Sequence, residues 1–143
     1  MSSKTPGSPR PPETQQDEDA IALAQGMFDL ARNGGSTMLR PLLQAGLPVD
    51  IRTTDGDSLL MLASENGQSD TVELLLEMGA TVDHRNNRGQ TPLMVAALSN
   101  RCSIIARLLK AGADADARDR NGRTALELAQ QEGALEAAAE LRG

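Results

Sequence analysis

Aromatic residues are almost missing from this chain: Phe28 stands alone among 143 residues, with no Trp and no Tyr. A two-sheet sandwich draws on alternating β-branched and aromatic residues, and that pattern is absent. Cysteine is equally scarce. Cys102 has no partner for a disulfide, which fits a reducing compartment. One Cys and one His (His84) also exclude an ordinary structural zinc site. The apolar runs are far too short for a membrane span. Met1 to Pro12 contains no apolar run of the length a secretory signal needs, so a cytoplasmic location is expected.

No chemistry-bearing motif fills these gaps. Gly34-Gly35 lacks the Lys-Ser/Thr of a phosphate loop. Asp55 and Asp57 are not followed by a calcium-loop pattern. Cys102 and His84 are eighteen residues apart, without the arrangement of a nucleophilic pair. No enzyme activity, cofactor or metal is expected.

The apolar mass is Ala, Leu and Met, suited to thin layers of helices, and it is arranged periodically. Gly56, Gly89 and Gly122 are 33 residues apart, and so are Asp50, Asp83 and Asp116. Such a period marks a solenoid, in which each unit buries its apolar face only against its neighbours. Four units are expected, at about 17–49, 50–82, 83–115 and 116–143, after a Pro- and Ser-rich tail over 1–16 expected to be disordered.

Each unit reads as a pair of helices. In the first, Asp17 or Asp19 caps a helix with apolar positions Ile21, Leu23, Ala24, Met27 and Leu30. A second helix carries Met38, Leu39, Leu42 and Leu43. In the second unit Ser58 caps one helix, and Ser69 or Asp70 the next. In the third, Thr91 caps and Pro92 takes the first helical position, where its missing N–H is no loss. The last helix, Leu135 to Leu141, is alanine-rich and polar, as the wet face of a terminal repeat requires.

Residues 83–115 closely resemble an ankyrin repeat. Gly89, Thr91, Pro92 and Leu93 give its Gly-x-Thr-Pro-Leu, and Leu108-Leu109 with Gly112-Ala113-Asp114 give its ending. Units 50–82 and 116–143 match less fully, and 17–49 matches weakly. The resemblance implies an all-α ankyrin repeat solenoid. The family's usual His after Thr-Pro-Leu is missing; Phe28, Met61, Met94 and Glu127 stand there. Asn100 replaces the Gly between helices seen at Gly67 and Gly133.

The resemblance further implies that binding uses the finger loops and the solvent side of each first helix. Carried over by position, the partner-binding residues are Arg52, Asp55 and Asp57 in one finger; Arg85, Asn87, Arg88 and Gln90 in the next; and Arg118, Arg120, Asn121 and Arg123 in the last. Leu98 sits at a helix position of the same face, either as an exposed apolar anchor or half-covered by its neighbouring unit.

Charge is uneven along the chain. The net is −6, yet residues 13–83 carry −10 and residues 84–123 carry +5. Overall acidity argues against non-specific nucleic-acid binding. An acidic protein partner against the arginine-rich fingers is the leading reading: a non-catalytic interaction module, adaptor or regulator. Alternatives are a cognate inhibitor or protective subunit of a toxin or enzyme, a small-molecule binder, and a self-assembling structural protein. The chain is expected to be a monomer, with association through Leu135 and Leu141 of the terminal repeat as the other possibility.

Overall fold

The computed structural model describes residues 15–143. Of the tail expected over 1–16, residues 1–14 lie outside the described residues, and Gln15 and Gln16 open the first helix. The described residues form eight helices in pairs: α1 Gln15–Asn33, α2 Ser36–Gln44, α3 Leu59–Glu65, α4 Ser69–Glu77, α5 Pro92–Leu98, α6 Cys102–Lys110, α7 Ala125–Gln131 and α8 Leu135–Arg142. Bridge pairing of β type among the described residues is confined to one antiparallel bridge, Arg52 to Ser58.

The first helices α3, α5 and α7 start where side-chain caps stand. Ser58, Thr91 and Thr124 each have extended backbone, and each accepts a hydrogen bond from the amide three residues on. Thr124 adds a full capping box, because Glu127 reaches back to the Thr124 amide. The second helices start differently. Neither Ser69 nor Asp70 caps α4; Gln68 takes that position and makes no cap bond with its side chain. Instead Gln68 Nε2 donates to the Arg32 carbonyl of the previous repeat at 2.9 Å. Arg101, one period later, donates likewise to the Glu65 carbonyl at 3.2 Å. A tie between repeats at this corner replaces the local cap. Asp17 and Asp19 also fall inside α1 rather than before it.

Two helical layers result. The first helices α1, α3, α5 and α7 pack successively side by side, and α2, α4, α6 and α8 form the second layer. The core runs between them as one continuous cluster, including Met27, Leu39, Leu60, Leu75, Leu93, Ile105, Leu128 and Ala137. Not every apolar position joins it. Ile21, Leu23, Met38 and Leu135 are exposed, the last by 75%.

Asn100 is the one non-glycine residue with positive φ among the described residues, at 57°. Its short side chain tolerates that region, and the structure gives it a further task. Asn100 Nδ2 donates to Glu136 at 2.8 Å, and Asn100 Oδ1 accepts from the Ala137 amide at 2.9 Å, joining the third repeat to α8. The Asn100 amide holds the Glu136 carboxyl below its ordinary range.

Candidate protein-interaction face

Three finger loops connect the repeats, and each is a tight hairpin built the same way. In the first, the Thr53 amide donates to the Asp57 carbonyl and the Gly56 amide to the Thr53 carbonyl. The same pair of bonds joins Asn86 with Gln90 and Gly89, and Asp119 with Arg123 and Gly122. The finger-tip glycines sit at φ 82°, 74° and 76°, a region that disfavours side chains.

One side chain organises each hairpin from within. Thr53 Oγ1 accepts from the Asp57 amide at 3.1 Å. Asn86 Oδ1 accepts from the amides of Arg88 and Gln90, both at 2.9 Å. Asp119 Oδ1 accepts from those of Asn121 and Arg123, also at 2.9 Å. Burial pushes the Asp119 carboxyl up, but these amides and the Arg123 guanidinium outweigh it and hold it below the usual carboxylate range. Thr53, Asn86 and Asp119 had no part in the sequence reading. The available signal was an Asx- or Thr-type turn residue recurring after Arg52, Arg85 and Arg118.

Neighbouring fingers are stitched together. The Asn87 amide donates to the Asp55 carbonyl at 3.0 Å and its side chain to the Thr54 carbonyl at 3.0 Å. The Arg120 amide donates to the Arg88 carbonyl at 3.3 Å. Asn86 Nδ2 donates to Asp57 at 3.0 Å. At the finger bases, the Asp50 carboxylate receives the amide and hydroxyl of Thr81, and the Asp83 carboxylate the amide of Asp114. Two of the three periodic aspartates, Asp50 and Asp83, therefore tie the start of a unit to its own end.

The finger arginines divide by what their guanidinium groups do. Arg85 Nη1 donates to the carbonyls of Gly89 at 2.9 Å and Arg118 at 2.6 Å. Arg118 donates to the Gly122 carbonyl at 2.7 Å and lies 3.3 Å from Glu127. Arg123 binds Gln131 at 2.8 Å and pairs with Asp119 at 3.4 Å. Arg88 and Arg120 are exposed, and their side chains have no hydrogen bond or ion pair among the described residues.

His84 is buried at the base of these loops, with 6% exposure and an unpartnered Nε2. The Gly56 backbone near its ring favours the charged form. Burial lowers its pKa first, and the nearby Arg52 charge adds to that, against opposing contributions from Asp50, Gly56 and Asp57.

Two polar basins open along the face. One of about 380 Å³ lies between the last two fingers, with Arg88, Arg120, Asn87 and Asn121 on its walls and Asp119 beneath. The other, of about 370 Å³, lies between α1 and the first finger, lined by Phe28, Arg32, Arg52, Asp55 and Asp57. Leu98 is half-buried and packs against the core rather than standing free. Among the described residues no group of three or more His, Cys, Asp or Glu side chains is placed to hold a metal ion.

A family model for ankyrin repeats, in three copies, matches residues 27–119. The chain belongs to the ankyrin repeat family. It is also 51% identical over 57 residues to an ankyrin repeat protein of Pseudomonas aeruginosa. That match covers 40% of this chain and 32% of the relative, so the chain spans about a third of that relative's length. Ankyrin repeats are generally protein–protein interaction modules, and the all-α solenoid expected from the period is the architecture found. No helix of the described residues is long and apolar enough to cross a membrane.

Proposed function

We propose that this chain is a non-catalytic interaction module, an adaptor or regulator in the cytoplasm, that binds one protein partner as a monomer. The contact face is the row of finger tips with the adjoining solvent side of α3, α5 and α7. The observation that carries this reading is the stitching of the fingers. A loop row cross-tied by backbone and side-chain bonds loses little conformational freedom on binding, which is the main advantage of a preorganised surface. Most finger-tip side chains are exposed, so the ordered row faces solvent.

Affinity capture from the host extract, followed by calorimetric titration of the purified prey, tests it. A saturable one-to-one complex that survives re-purification is expected. Absence of any protein that binds saturably would overturn the module reading.

A further inference from the structure

We propose that the last two finger tips form a receptor for an acidic peptide segment of the partner, with Arg88 and Arg120 as its two recognising cations. The inference rests on the interaction-module reading and adds the partner's chemistry. Three of the five arginines in these fingers, Arg85, Arg118 and Arg123, are engaged in holding loops together. Arg88 and Arg120 are the pair left without such work among the described residues. Their backbones are tied directly, Arg120 amide to Arg88 carbonyl, so the two arginines spring from adjacent tips whose main chains are held together.

The nearest buried acid does not neutralise them. Asp119 Oδ1 is occupied by two amides, and its Oδ2 faces Arg123. Asn87 and Asn121 flank the pair on the rim of the same basin. Two guanidinium groups over a polar basin suit carboxylates, which accept paired N–H bonds from each. The opposite end of the row sets Asp55 and Asp57 beside Arg52, so the surface runs from mixed charge to basic across three fingers. The bound segment therefore places its acidic residues over the last two fingers and non-acidic ones over the first. Nucleic acid fits less well. Its affinity comes from many phosphate contacts, whereas this face offers two adjacent unengaged cations on a chain of net charge −6.

The test is fluorescence anisotropy with the full chain, using a labelled octaglutamate peptide, with octalysine and oligo-dT as comparators. Octaglutamate should bind saturably and weaken with added salt. The Arg88→Gln/Arg120→Gln variant should lose about tenfold or more in affinity, and each single variant should fall between. Equal binding by wild type and double variant, or no octaglutamate binding, overturns the proposal; tighter oligo-dT binding replaces it with a nucleic-acid surface. The captured partner separates the two levels. If it binds the double variant unchanged, the acidic-segment inference falls and the module stands. If no protein binds even the wild type, the module reading falls with it.

Discussion

The finger-tip glycines offer a graded test of whether the loops are stacked by contact. Gly56, Gly89 and Gly122 share nearly the same backbone, with φ of 82°, 74° and 76°. Their surroundings differ. A Cβ on Gly56 would lie 2.7 Å from Asn87 Oδ1 and 2.9 Å from the Asn87 amide nitrogen. On Gly89 it would lie 3.0 Å from both Cγ and the amide nitrogen of Arg120, whereas on Gly122 it would meet nothing within 4 Å. Alanine in the left-handed region costs about 1–2 kcal/mol, offset by roughly 0.4–1 kcal/mol from the stiffer unfolded chain. Gly122→Ala should therefore cost about 1 kcal/mol, and at most roughly 1.6 kcal/mol. Overpacking adds about 1–3 kcal/mol. Gly56→Ala should lose about 2–4 kcal/mol, because both Asn87 atoms lie closer than any met at Gly89 and one is a backbone amide already bonded to Asp55. Gly89→Ala should fall between. Urea unfolding followed by far-UV circular dichroism measures this; the chain has no Trp or Tyr for fluorescence. Equal losses at all three positions would refute the idea that each finger bears on the next.

Protonation of His84 should weaken the fold. Its folded pKa lies below the ordinary 6.5, so the unfolded chain takes up the proton first as pH falls. The full stability is present above pH 6.5 and is lost as pH drops through the folded value. His84→Ala, which installs the residue found one period later at Ala117, should flatten the urea midpoint between pH 7 and about 5.5; an unchanged slope would show that other groups carry it. Thr124→Ala removes the capping box and should cost about 1 kcal/mol in the same assay. Asn100→Ala should cost about 2–3 kcal/mol, combining backbone strain with two lost ties to α8. Asn100→Gly, which relieves the strain, should cost less, and a larger loss would contradict that division.

The repeat and its helices were legible because they are local or periodic. Gly56, Gly89 and Gly122 announce the period, and Ser58 and Thr91 read as caps from their immediate sequence. Errors arose where a local signal competed with a contact to the next repeat. Ser69 and Asp70 look like caps, yet α4 is fixed by Gln68 reaching the Arg32 carbonyl. Met38 fits an apolar stripe but faces solvent. The roles of the arginines were not legible at all. Arg85 and Arg88 are equally plausible contact residues in sequence, and only the register of adjacent fingers shows that Arg85 binds the Arg118 carbonyl. For the same reason Arg85 is a poor probe of binding, since its substitution removes a tie between fingers. Thr53, Asn86 and Asp119 stayed hidden because their partners are amides, which every residue type supplies.

The claim that the finger row is the contact face is tested most directly by site-specific photocrosslinking. A photoreactive residue at Asn121, on the last finger tip, is compared with one at Ala106, exposed on α6 in the second helical layer. With the captured partner added, crosslinks should form from Asn121 and be absent from Ala106. Crosslinks from Ala106 alone would place the partner on the second-helix layer and contradict the account.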